Sequence, residues 1–415
     1  MKLRKLLFIV LVLVLALGLL PLKAQDEPVT MTMWIRDTNF LISTLVDTWN
    51  ENNANQIELT IVPAEEFVTK LGASVAAGEA PDIISIDLIY TPAFASAGQL
   101  VDLTDRVAEL PFLDDLSPAH MALGTYDGRN YAVPFAAEGS FLVYNVDLFE
   151  QAGLDPASPP TNWEELLEAA RAITALGDDI YGYYFAGACA GCNAFTFLPF
   201  IWASGGDVLS EDYSAPTLDD PIVREALQLY RTMWEEGLIP EGALIDSGEN
   251  FVEAFSSGKI GMGGTGAFGI DNYKTNYPDL NFEVAYIPGM NGGTASFGGG
   301  DNIGIPVGTE YVEEAWEFIS WMLTEEVQLE IYAANNQLPI RMSLADNEYF
   351  DADPRLKVAA STLSVGHTPY SLVYNDLFND PNGPWLLMLQ VAIFDGDIDG
   401  AIQEAQERFS QIMGD

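Results

Sequence analysis

Between residues 31 and 87 the spacing of apolar residues changes period four times, and that alternation narrows the folds open to the chain. Leu41, Leu45 and Trp49 recur every four residues, as on one face of a helix, and Ile57, Leu59 and Ile61 then alternate with polar residues, as along a half-buried strand. A second helical stretch runs from Glu65 to Ala77 and stops before Gly78. The run DIISID places Ile83, Ile84 and Ile86 in a further strand. With MTMWI as the first strand, the order strand, helix, strand, helix, strand predicts a parallel α/β lobe.

Later helices carry their own signals. Thr161 and Glu164 have capping-box spacing ahead of Leu166, Leu167, Ala170 and Ile173. Asp220 followed by Pro221 reads as an N-cap with proline at the first helical position, and Gly237 closes the face formed by Val223, Leu227, Tyr230 and Trp234. Trp316, Ile319 and Leu323 mark a third helix, closed off by Pro339. Between these lie glycine-rich strand-like segments, GKIGMGGTGAFG and SFGGGDNIGIPV, and no internal repeat is visible.

Residues 1–24 have the layout of a secretory signal peptide: Lys2, Arg4 and Lys5, then apolar Leu6 to Leu20, then Pro21 and the small Ala24. The alternative is an uncleaved anchor that keeps the protein at a membrane, although the apolar run falls short of the roughly 20 residues needed to span a bilayer. An exported protein, periplasmic or extracellular, is expected. Removing the leader takes four positive charges and no negative ones, moving the formal charge from -44 to -48. So acidic a chain repels phosphate backbones and anionic lipid, which excludes nucleic acid as a partner. The remaining length exceeds the ~250 to 300 residues at which one core stops growing, so two lobes are expected. The two cysteines, Cys189 and Cys192, form one C-x-x-C in Gly-, Ala- and aromatic-rich flanks, which predicts a small disulfide in a loop; a redox-active pair would need to open a helix after a strand.

Several phrases, taken together and in order, resemble the extracellular solute-binding proteins of ABC importers, in the carbohydrate-binding group that includes maltose-binding protein. They are MTMWI, ASVAAGEAPDIISID, GQLVDLTDRV, DGRNYAVPFAAEGSFLVYNVDLFEQAGL, PPTNWEELLEAARAI, WASGGDVL, AFSSGKIGMGGTGAF, GGGDNIGIPVGTEYVEEAWEFISWML and NNQLPIR, and they cover nearly all of residues 30–412. The resemblance implies a two-lobed α/β periplasmic-binding-protein-like fold of type II, with the solute held in a cleft between lobes and a hinge of several crossings. It places the crossings near YAVPFAAE, after GTGAF and near LPIR. One lobe should then combine residues 28–136 with 297–338, and the other 137–296 with 339–415.

Within AVPFAAEGSFLVYN (132–145) the one carboxylate, Glu138, must be paired or face a polar cavity, because a buried charge without a partner is costly. The resemblance puts it at the cleft, where relatives often have a sugar-binding Glu; pairing with a local arginine such as Arg129 is the alternative. Asp87, directly after IISI, matches a ligand-contacting Asp, or else caps the next helix. Phe268 matches a position where the family commonly stacks a Trp on the sugar, or else is core. Gly299, Gly300 and Asp301 match a cleft loop in which glycines let the backbone approach the ligand, with a turn role open to Asp301. Weaker positions are Asp37 and Asn39 after the first strand, Phe195 beside the C-x-x-C, and Trp385, which fits the core equally well.

Three other patterns carry less. Gly261, Gly263 and Gly266 satisfy G-x-G-x-x-G, but the glycines sit inside a strand and not after it. Asp395, Asp397, Asp399 and Gly400 open like a calcium loop, but position 12 is Gln406, so helix capping by Asp399 is the better reading. Only His120 and His367 are present, and neither HExxH nor G-x-S-x-G occurs. No catalytic residue, metal or cofactor is expected.

The function so implied is non-enzymatic: a monomer that captures a neutral mono- or oligosaccharide and delivers it to membrane permease subunits. A cationic solute such as a polyamine is the alternative within the same fold, and an exported glycoside hydrolase with paired carboxylates is the alternative outside it. An anionic ligand fits poorly, because the cleft segments offer almost no Lys or Arg.

Overall fold

The computed structural model describes residues 27–36 and 41–414; the leader-like segment, Asp37 and Asn39 lie outside the described residues. The chain opens with β1 (Thr30–Arg36), α1 (Leu41–Asn52), β2 (Gln56–Val62), α2 (Ala64–Ala77) and β3 (Ile83–Asp87), the five elements that apolar spacing predicts. β1 pairs in parallel with both β2 and β3. The alternation fails only at the end of β2, where Ile61 is exposed and Val62 is buried against Phe67 and Leu71 of α2.

Besides a short antiparallel pair, Thr125–Tyr126 with Arg129–Asn130, the later strands among the described residues are β4 (Ala132–Gly139), β5 (Phe141–Asn145), β6 (Tyr181–Tyr184), β7 (Ile260–Thr265), β8 (Phe282–Ala285), β9 (Ile287–Pro288), β10 (Thr294–Gly304) and β11 (Gly366–His367). A seven-stranded sheet has the order β9-β10-β3-β1-β2, with β4 and β11 also pairing β10; a four-stranded sheet has the order β8-β5-β7-β6. The first sheet is mixed and not purely parallel, since β10 runs antiparallel to β3 and β4. Two changes of sheet are abrupt. Only Ser140 separates β4 from β5, and only Tyr286 separates β8 from β9. Ser140 is buried and tied to Phe297 of β10 in both directions: its N–H donates to the Phe297 carbonyl at 3.2 Å, and its Oγ accepts from the Phe297 N–H at 2.8 Å.

The helices that matter to the site are α3 (Trp163–Thr174), α4 (Ala190–Trp202), α5 (Pro221–Glu235), α6 (Ala267–Asn276), α7 (Val312–Met322), α8 (Pro384–Gln390) and α9 (Ile398–Met413). α5 is capped as the sequence predicts, by Asp220 accepting from the Ile222 N–H. α3 starts where expected with a different cap: Asn162 accepts from the Glu165 N–H, and Glu165, one position past the predicted partner, reaches back to the Thr161 N–H and hydroxyl. α9 is capped by Asp397 and not Asp399, which instead pairs with Arg224. The third predicted helix ends at Met322, well before Pro339, because Thr324 starts a separate short helical segment.

Two expectations need correction. Cys189 and Cys192 are disulfide-bonded but do not sit in a loop; Cys189 is the N-cap of α4, five residues after β6, with its Sγ accepting from the Cys192 N–H. α4 buries residues on almost every side, including Ala190, Phe197, Leu198 and Ile201, so it shows no one-sided apolar stripe to read. Trp385 is core: it is fully buried on α8, with its ring 5.9 Å from Phe197 and 5.6 Å from Phe378.

Candidate functional site

A cavity of about 570 Å³ lies between the strand ends of the seven-stranded sheet and the N-terminal ends of α4 and α6. Its size is that of an ordinary small-ligand pocket, and it opens beyond the carboxyl ends of β1 and β3, where open α/β sheets present ligand sites.

The charged wall is built by strand register. Asp87, the last residue of β3, lies directly opposite Asp301 of β10, so two carboxylates face one another across an antiparallel pair. Like charges so placed repel, and Arg36 at the end of β1 resolves the conflict. Its Nη1 donates to Asp87 at 2.6 Å and its Nη2 pairs with Asp301. Burial works against the Arg36 charge, but the two aspartates outweigh it and raise the guanidinium above its ordinary range. Asp301 is also held by the Ser85 hydroxyl at 2.8 Å. Asp87 caps the helical turn after β3, accepting from the Ile89 N–H at 3.3 Å, while pairing with Arg36; burial raises its carboxyl, with Arg36 opposing.

Glu138 is not paired with Arg129, which instead binds Asp102. Its carboxylate accepts from the Ala267 N–H at 2.9 Å, at the N-terminus of α6, so a side chain on β4 of one sheet caps the helix that follows β7 of the other. The third glycine of the G-x-G-x-x-G pattern, Gly266, is the N-cap of that helix, and the anion at this helix start is the protein's own. Burial pushes the Glu138 carboxyl up to about 7, against the pull of the Ala267 and Phe268 amides.

That shift predicts a pH signature. Glu138 holds its proton more tightly folded than unfolded, so its contribution favours the fold below 4.5 and is lost as pH rises through about 7. The loss amounts to up to about 3 kcal/mol. His120 acts in the opposite sense. Buried beside Ser117 and the Ala136 carbonyl, it is lowered to about 4, so the fold loses stability as pH falls below 6.5. The slopes oppose each other in wild type; the stability difference between wild type and Glu138→Gln, measured by urea unfolding across this range, is expected to move against wild type with rising pH. A pH-independent difference would refute the assignment.

The apolar wall is a row of rings. Phe251, Phe268, Phe195 and Phe297 follow one another with centroid spacings of 6.1, 6.0 and 5.6 Å. Phe268 is 37% exposed, high for a phenylalanine in a recess, so part of its ring is open to the cavity it lines. Cys192, Gln337, Tyr374 and Asn379 complete the surround.

A family model for bacterial extracellular solute-binding proteins matches residues 41–329. The chain belongs to this family. As a solute-binding protein it is 28% identical over 301 residues to a binding protein of Brucella abortus, covering 72% of each chain. It is 25% identical over 367 residues to the diacetylchitobiose binding protein DasA of Streptomyces coelicolor, covering 85% of this chain and 83% of that protein. Among solved structures, the cyclic alpha-maltosyl-1,6-maltose binding protein from Arthrobacter globiformis superposes with a TM-score of 0.81 at 27% identity, covering 93% of this chain and 99% of that one. The fold is thus the two-lobed one of solute-binding proteins, and the cavity is lined from elements of both sheets' layers.

Of the positions singled out in the sequence of this solute-binding protein, Asp87, Glu138, Phe195, Phe268, Gly299, Gly300 and Asp301 all line the cavity. Gly300 has a reason of its own for being glycine: at φ 108°, a Cβ would stand 2.0 Å from the Ala136 carbonyl oxygen, so the close approach seen here is of β10 to β4. Trp385 is not part of the cleft. Arg36, Phe251, Phe297, Gln337, Tyr374 and Asn379 were missed. Arg36 was within reach of sequence reasoning, being the residue between MTMWI and Asp37; Tyr374 precedes and Asn379 ends a π-helical turn, Asn375–Asn379, that no spacing announces.

Proposed function

We propose that this solute-binding protein is the extracytoplasmic component of an ABC importer that captures a neutral mono- or oligosaccharide and hands it to permease subunits without chemically altering it. The observation that carries the reading is the opposition of a carboxylate wall, Asp87, Asp301 and Glu138, to a row of four phenylalanines. A sugar ring needs acceptors for its hydroxyls and an apolar face against its C–H groups. All three carboxylates are already engaged, two by Arg36 and one by a helix N-terminus, which favours binding over acid–base chemistry. The sugar-binding relatives support the class. The same proposal includes export through a leader at 1–24, action as a monomer, and lobes of 28–136 with 297–338 and of 137–296 with 339–415; on these bounds the short strand β11, which pairs with β10, reaches back from the second lobe to the first.

Phe268→Ala is expected to leave the fold intact and weaken saccharide binding by about 0.5 to 1.5 kcal/mol, several-fold in Kd. Calorimetry on protein refolded from denaturant, and so freed of carried ligand, measures it. Equal affinity in the variant would remove the ring from the site.

A further inference from the structure

We infer that Arg36 decides the charge class of solute that the cleft accepts, by occupying from within the place that a ligand's ammonium or guanidinium group would otherwise fill. The inference rests on the saccharide reading of the cleft. Arg36 is the one cation among the described residues lining the cavity, against the carboxylates Asp87, Glu138 and Asp301. It reaches across from β1 to span two aspartates that β3 and β10 set directly opposite one another. Without it, those aspartates would face each other unpaired beside an apolar wall, and a proton or a bound cation would have to take its place.

Such a device has work to do in this protein. A chain of formal net charge -44 concentrates small cations around its whole surface, so a cleft for neutral solutes has to exclude them locally. The guanidinium suits this task better than an ammonium would. Its planar fork engages both carboxylates at once, and its charge persists at any physiological pH.

The test compares wild type, Arg36→Gln and Arg36→Lys by calorimetry with spermidine and with a panel of neutral sugars, at low salt and at about 1 M salt, where the Debye length is only about 3 Å. Circular dichroism checks the fold of each. Wild type and Arg36→Lys are expected to ignore spermidine, while Arg36→Gln binds it at least about tenfold more tightly than wild type, an affinity that salt abolishes. A folded Arg36→Gln protein with no gain overturns the inference. Should Arg36→Gln not fold alone, it is titrated with spermidine during refolding; salt-sensitive recovery of the native spectrum supports the inference and failure to recover overturns it. The two readings fail differently. Wild type that binds spermidine and no sugar sinks the saccharide reading itself, whereas wild type that binds a sugar, with no spermidine gain in Arg36→Gln, sinks only the role given to Arg36.

Discussion

Trp385→Ala is expected to destabilise the protein by about 3 to 5 kcal/mol, the cost of truncating a fully buried indole, while leaving the saccharide affinity of the remaining folded protein unchanged. The ring is packed between Phe197 and Phe378 and touches no part of the cavity, so the loss is a core cavity and not a lost ligand contact. Trp385→Phe serves as the control. The indole N–H has no acceptor among the described residues, so its removal sacrifices no hydrogen bond and should cost far less. Urea unfolding read alongside calorimetry separates the two effects. An intact fold with weakened binding in Trp385→Ala would return this residue to the site.

Asp301→Ala, by contrast, should lose both stability and binding. It removes one arm of a buried ion pair, frees the Ser85 hydroxyl of its acceptor and leaves Arg36 held by Asp87 alone. Breaking such a pair from one side costs about 3 to 5 kcal/mol; because Asp87 remains, about 3 is expected. Asp301→Asn, which keeps an acceptor for Ser85, should lose less. A change below about 1 kcal/mol in the alanine variant, the range of a surface ion pair, would mean that the charged wall is not a structural unit.

The first lobe was readable because α1 buries one clean face, with Leu41, Leu45 and Trp49, and because β3 is a short apolar run, Ile83, Ile84 and Ile86, buried on both faces and bounded by polar residues. Periodicity then disappears wherever an element is buried all round. α4 is such a case, and the Gly-, Ala- and aromatic-rich flanks of the C-x-x-C at its start read as a loop with no apolar stripe to oppose that reading. The cleft was partly legible through resemblance, which led to Asp87, Glu138 and Asp301 by position. What resemblance could not supply was partnership. Glu138 is held by a helix N-terminus 129 residues away in sequence, and Asp87 meets Asp301 only because β3 and β10 lie side by side. Arg36 acquires its role from that same register. Such relations are set by topology, and no local pattern carries them.

The account turns on the solute. The measurement that tests it most directly is calorimetry of the refolded, ligand-free protein against neutral mono- and disaccharides and against spermidine, at low and high salt. A neutral sugar that binds with little change between the two salt conditions, and binds more weakly to Phe268→Ala, is the result predicted. Binding confined to spermidine and fading with salt would contradict it.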